Sequence, residues 1–213
     1  MGLLLTKSIN GARLGIWEVT ESLEDLRGKV RLTGLEREFF ASLQSPLRKK
    51  HWLSYRLILP HILRKMPPGG IFYDSFGKPR IVNGAGQISV SHSGRYSVMI
   101  ASRNKSVGVD IEKVDDKIFR LAHKFLSPGE MEYSFGSFPT ESLMLIWCAK
   151  EAMYKLHGRG GLSFSRDLFV ERFSFEGSGT VTGHIKSMHR ITDHQLHYES
   201  IDNYLLVYTI AGI

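Results

Sequence analysis

The feature that most constrains this chain is a switch of hydrophobic period between two short stretches. From Val107 to Glu112, apolar Val107, Val109 and Ile111 alternate with Gly108, Asp110 and Glu112. A period of two is that of a strand, so both carboxylates project from one side and the apolar residues from the other. About forty residues on, Trp147-Cys148-Ala149-Lys150-Glu151-Ala152-Met153-Tyr154-Lys155 reads as a helix. Trp147, Glu151 and Lys155 fall at successive i, i+4 positions and share one stripe.

Three carboxylates with lysines beside them describe a place for a hard divalent cation and a phosphorylated ligand. Each stretch alone has a plainer explanation. A strand ending in Asp-Ile-Glu can simply turn a polar face to water, and Glu151 with Lys155 is the favourable order for an ordinary helix ion pair. Packing explains the apolar residues. It does not explain acids on the other face of a strand set among so many basic residues.

With 213 residues, 42% hydrophobic and 11% aromatic, the chain can bury a core as one large domain or two small lobes. The formal net charge of +7 favours acidic partners, whether phosphates, nucleic acid or an acidic protein. The one cysteine, Cys148, excludes an internal disulfide, fits a reducing compartment and reads as a packed thiol. No apolar run reaches membrane-spanning length, and Met1 to Thr6 lacks the features of a secretion signal. A cytoplasmic protein with no membrane partner is expected. Gly2 and Thr6 match a loose acylation pattern, but a first strand explains Leu3, Leu4 and Leu5 more simply.

Along the chain, Ile9 to Glu18 suggests an edge strand, and helix formers dominate from Thr20 to Leu26 and from Thr33 to Met66. Pro60 should kink or shorten the second of these helices, and Pro67-Pro68-Gly69-Gly70 should stop it. Ile88 and Val90, a turn at Ser93-Gly94, then Tyr96, Val98 and Ile100, and a turn at Asn104-Lys105 into Val107–Glu112, predict a three-stranded meander. Ser127-Pro128-Gly129-Glu130 opens a helix, Thr140 to Leu156 forms the key one, and Gly158 is its stop. Strands follow at Leu168–Phe175, Thr180–Met188, Gln195–Ser200 and Tyr204–Ile210. Helices followed by a small antiparallel sheet thus occur twice. The expected class is α+β, with two similar lobes, 1–106 and 107–213, and a site at their junction.

These stretches resemble the Sfp-type 4′-phosphopantetheinyl transferases over nearly the whole chain. The resemblance rests on Ala41–Arg64, Phe76-Gly77-Lys78-Pro79, Ile88-Ser89-Val90-Ser91-His92-Ser93-Gly94, Val107–Val114, Phe125-Leu126-Ser127-Pro128-Gly129-Glu130, and Trp147–Lys155 followed by Gly160-Gly161-Leu162-Ser163. It implies a pseudodimeric fold in a monomer. The activity it implies is transfer of the 4′-phosphopantetheine arm of coenzyme A to a serine of an apo acyl or peptidyl carrier protein, releasing 3′,5′-ADP. It further implies that Asp110, Glu112 and Glu151 hold Mg²⁺, with Mn²⁺ as the alternative. Glu151, or Glu112 through a water, would be the general base, and Lys155 would stabilise or protonate the leaving phosphate. Lys150 would contact the pyrophosphate, while Arg56, Lys78, Pro79, Ser91 and His92 match positions that grip the 3′-phosphoadenosine end. An all-oxygen donor set independently favours Mg²⁺ over Zn²⁺.

Two rival classes stand beside this reading. One is a basic metal-dependent nuclease or nucleic-acid-binding protein, against which the basic residues are scattered rather than aligned with aromatics. The other is a non-catalytic coenzyme A-binding module, which would have no need of all three acids. His194 and His197, three apart on a strand, face opposite sides and cannot chelate one ion together; His184 and His189 nearby read as structural or exposed.

Overall fold

A computed structural model of the chain describes residues 2–63, 70–84, 86–188 and 190–212. The expected stop at Pro67-Pro68-Gly69, together with Met66 and His189, lies outside the described residues. The protein is α+β. It divides into two compact units, Met1–Val107 with Gly212–Ile213, and Gly108–Ala211.

In the first unit, β1 (Leu3–Ile9) and β2 (Ala12–Glu18) precede α1 (Leu23–Lys29), α2 (Gly34–Ser42) and α3 (Pro46–Leu63). Strands β3 (Ile71–Tyr73), β4 (Pro79–Ile81), β5 (Gln87–Ser93) and β6 (Tyr96–Ser102) complete a sheet of order β1-β2-β6-β5-β4-β3. Helix α3 runs past Pro60 to Leu63 and buries Trp52, Leu53, Tyr55, Ile58 and Leu59 with Ile88, Met99 and Ala101 of the sheet. The region expected as one edge strand is half of a hairpin. Asn10 and Gly11 both take positive φ, 46° and 82°, the two-residue turn whose twist suits a hairpin. The edge is β1, and β2 lies inside, paired with β6 on its other side.

Strand β7 (Lys105–Lys113) enters the second unit at Gly108, and α4 (Ile118–Phe125), α5 (Pro128–Tyr133), α6 (Pro139–His157), β8 (Leu168–Val170), β9 (Ser178–Ser187), β10 (Arg190–Ile201) and β11 (Tyr204–Gly212) follow. Their order is β7-β11-β10-β9-β8. The expected meander is therefore only a hairpin of β5 and β6. The second edge of β6 is already taken by β2, so β7 continues into the other sheet. Helix α6 closes with the Gly158 N–H donating to the Tyr154 carbonyl, and it buries Leu145, Ala149, Met153 and Leu156 in one cluster with Leu168, Leu196 and Val207. Among the described residues no helix is long and apolar enough to cross a membrane.

Both units are held by the same device. Thr33 and Ser127 each cap a helix whose third residue, Glu36 or Glu130, reaches back to the capping backbone N–H. Each of these glutamates is buried, and each meets a buried cation 20 residues further on: Arg56 Nε at 2.8 Å from Glu36 Oε1, Lys150 Nζ at 2.6 Å from Glu130 Oε2. Each also accepts a backbone N–H from the strand that follows the long helix, Ile71 for Glu36 and Val170 for Glu130. One carboxylate thus ties a short helix, a long helix and a strand together.

The cations are fully committed in this arrangement. Lys150 donates to Glu130 and to the carbonyls of Phe125 and Phe164, at 2.6, 2.7 and 2.8 Å, and is 0% exposed. Burial holds its pKa below the ordinary lysine value, with Glu130 opposing. Arg56 donates to Glu36 and to the carbonyls of Trp52 and Ile71, and its guanidinium lies 3.2 Å from the Trp52 ring centroid. Removing one member of such a pair strands the other charge in the core. Lys150→Ala is expected to lower the unfolding free energy by about 3–5 kcal/mol, read by urea denaturation.

Candidate active site

The second unit assembles its polar centre where β7 meets α6. Val107, Val109 and Ile111 are completely buried, as the period of two requires, and Gly108, Asp110 and Glu112 share the opposite face. At Gly108 the α6 backbone comes so close that a Cβ would collide with the Ala152 carbonyl oxygen. That contact brings the next turn of α6, with Glu151 and Lys155, beside the carboxylate two residues along the strand. Sequence reasoning passed over Gly108 as a polar-face filler. Its position on the acid face of a strand was the available signal.

Asp110 is 2% exposed, and its Oδ1 accepts from Lys155 Nζ at 2.6 Å. Burial opposes the Lys155 charge, but Asp110, Glu151 and Glu112 together outweigh it and hold the ammonium above its ordinary pKa. All three predicted acids therefore act on one cation. Glu151 is pushed up by burial and then by Asp110, with Lys155 pulling it back. The Cys148 thiol, completely buried beneath them, is raised by burial and by Asp110 and Glu112, so it is inert as a nucleophile.

The donor chemistry of Asp110, Glu112 and Glu151 suits a hard cation, being oxygen throughout. Among the described residues, however, no three His, Cys, Asp or Glu side chains stand close enough together to hold a metal ion. It is the Lys155 ammonium that the acids act on. Lys150 does not join this group, because its donors are spent on Glu130 and two carbonyls.

In the first unit, four of the five residues matched to the phosphoadenosine end collect at one end of the sheet. Strands β4 and β5 pair antiparallel through Arg80 and Gln87, a register that runs Pro79 and Lys78 past Ile88 and Ser89 towards the end of β5 that carries Ser91 and His92. Asp74 fixes the turn between β3 and β4 by accepting the N–H groups of Phe76 and Lys78. Burial lowers Lys78 to about 8, with Arg80 adding and Asp74 opposing. The His92 ring stacks on His51, with centroids 4.4 Å apart and planes 6° from parallel, and His51 Nε2 lies 2.8 Å from the Gly94 carbonyl. Arg56 stands apart, enclosed in the core with Glu36.

Comparison with known proteins fits this geometry. Residues 106–209, from β7 into β11, match the family model of the 4′-phosphopantetheinyl transferase superfamily. Through these residues the chain is similar to the 4′-phosphopantetheinyl transferase superfamily. A 4′-phosphopantetheinyl transferase of Bacillus subtilis is 32% identical over 118 residues, covering 53% of this chain and 52% of that protein. The 4′-phosphopantetheinyl transferase psf-1 of Bacillus pumilus is 29% identical over 151 residues, covering 65% and 59%. The transferase Sfp of Bacillus subtilis strain 168 is 30% identical over 110 residues, covering 50% and 48%. The chain spans about half the length of the curated relatives it matches.

The approach at Gly108 can be tested apart from any activity. Gly108→Ala forces a methyl into the α6 backbone and is expected to cost about 3 kcal/mol, lowering the thermal midpoint measured by circular dichroism.

Proposed function

We propose that this protein transfers the 4′-phosphopantetheine arm of coenzyme A to a serine of an apo acyl or peptidyl carrier protein, releasing 3′,5′-ADP. The observation that carries this reading is the Lys155 ammonium, bonded to buried Asp110 and raised by Glu151 and Glu112, within the stretch that matches the superfamily. The serine oxygen attacks the β-phosphorus, the bond from that phosphorus to the bridging oxygen breaks, and the electron pair leaves with 3′,5′-ADP. Such a transfer needs alignment and charge neutralisation more than covalent help.

The serine proton goes to Glu151, whose raised pKa makes it a better base than an ordinary carboxylate; Glu112 acting through a water is the alternative. Lys155 keeps its proton, because its pKa is raised, and serves as a fixed positive charge against the departing phosphate. Asp110, Glu112 and Glu151 are the oxygen donors that would hold Mg²⁺, or Mn²⁺ in its place, once drawn closer together than they stand here, and the ion would supply charge neutralisation at the diphosphate. Lys78 and His92, with Ser91 and Pro79, take the 3′-phosphoadenosine end. Arg56 and Lys150 hold the fold instead.

The same reading has the two units as the two lobes of the fold, 1–106 and 107–213, in a monomer working in the cytoplasm. The single buried thiol supports a reducing compartment, and the net charge of +7 supports an acidic protein partner.

The test is incubation with coenzyme A, Mg²⁺ and an apo carrier domain, followed by mass spectrometry of the carrier. Wild-type protein is expected to add the phosphopantetheine mass, and Glu151→Gln to lower kcat by roughly a hundredfold to ten-thousandfold. Transfer undiminished in Asp110→Ala would overturn the assignment. A second outcome concerns pH. Lys78 is charged below about 8 and neutral above it. Affinity for 3′,5′-ADP, measured by calorimetry, should therefore fall roughly tenfold as pH rises through that value, and Lys78→Met should remove the dependence.

A further inference from the structure

A pocket of about 300 Å³ lies in the first unit against the last turn of α3, lined by Gly11, Arg13, Ile62, Leu63, Ala101, Ser102 and Arg103. It is remote from Ser91 and His92 within the sheet. His92 pairs with Ser97 at one end of the β5–β6 ladder, whereas Ser102 pairs with Gln87 at the other. The residues lining it include two arginines and no acid.

Arg13 is the unusual member. It is half-buried, yet its Nε is sealed from solvent and has no hydrogen-bond partner. Leaving a buried donor of a charged group unmade is costly, so the position calls for an acceptor that the described residues do not supply. Arg103 stands exposed at the rim, and the Lys105 side chain lies over Gly11, its Cε 3.6 Å from where a Cβ would be. The β1–β2 turn is fixed in place by the Ser102 hydroxyl donating to the Gly11 carbonyl at 2.9 Å. Arg13 and Arg103 both line the pocket beside this fixed turn.

We propose that this pocket binds a small oxyanion, the phosphate or carboxylate of a compact molecule whose short apolar part rests on Ile62, Leu63 and Ala101. A guanidinium offers paired N–H donors that match either group, and Arg13 and Arg103 give two of them. The volume is at the lower end for small-molecule sites, which limits the ligand to a few heavy atoms beyond the oxyanion. The pocket is independent of the transfer reaction, since none of its residues belongs to the machinery assigned above.

The experiment is titration of the full chain with inorganic phosphate and, separately, with butyrate, at constant ionic strength held by chloride. The readout is nuclear magnetic resonance at the Arg13 Nε–H and the Gly11 and Ser102 amides. Saturable shifts at these signals are expected, and the tighter of the two probes names the oxyanion. Arg13→Gln and Arg103→Gln should each weaken binding roughly tenfold or more, read at the amides, while leaving carrier modification unchanged. Arg103 is exposed, so its variant tests the site even if Arg13→Gln folds poorly. Two outcomes would overturn the proposal: shifts that only track total salt, or saturable shifts that neither substitution weakens. Arg13 would then serve only to offset the negative end of α3.

Discussion

A carboxylate in the third position of a short helix is the fixed point of each unit. Glu36 and Glu130 sit where a capping box places them, on the first turn, and from there each reaches inward to a cation and a strand. Burying a carboxylate is tolerable only when all its lone pairs are used and its charge is met at short range. Those demands set the path of the surrounding chain. The long helix has to present Arg56 or Lys150 at one height, and the next strand has to offer the N–H of Ile71 or Val170. No sequence repeat joins the two halves by residue identity. The separation of 20 residues from glutamate to cation nevertheless recurs in both, with Arg in one and Lys in the other.

This separates the two lysines of the α6 stretch. Lys150 and Lys155 are five positions apart, about 140° around a helix, so they cannot serve the same side. One is drawn into the Glu130 knot and the other to Asp110 on β7. From sequence both were candidates for a phosphate, because a lysine beside a glutamate looks the same in either role. The discriminating signal was not in that stretch. It was the capping box at Ser127–Glu130, whose third residue has no business being buried unless a cation waits for it.

The parts of the fold set by local rules were legible. Period two over Val107–Ile111 gave β7, and the cap and stop signals gave α5 and the end of α6. What escaped was pairing between distant segments. Asn10-Gly11 carries a hairpin signal, but the patchy apolar pattern around Trp17 concealed that β2 is an interior strand. Nothing near Asn104-Lys105 says that β7 leaves β6, since that depends on β2, some ninety residues earlier, already holding the edge. In the candidate site the acids and Lys155 were readable because one strand and one helix carry them all. The burial of Arg56 with Glu36 was not legible, because a buried arginine and a phosphate-binding arginine leave the same mark on an amphipathic helix.

The charge of the centre follows from the same geometry. Three carboxylates face one ammonium, so with all of them ionised the group carries a net charge of −2. The cost shows at Glu151, whose proton is held more firmly than usual by burial and by Asp110. A proton would relieve part of that excess, and a divalent cation would cancel it. The two are therefore alternatives at one place, and the acid best suited to accept a proton is also the one a cation would ionise. A carboxylate placed this way is tuned by whatever positive charge comes near it. The β7–α6 contact at Gly108 makes that coupling unavoidable, because it brings the strand that carries Asp110 against the helix that carries Glu151 and Lys155.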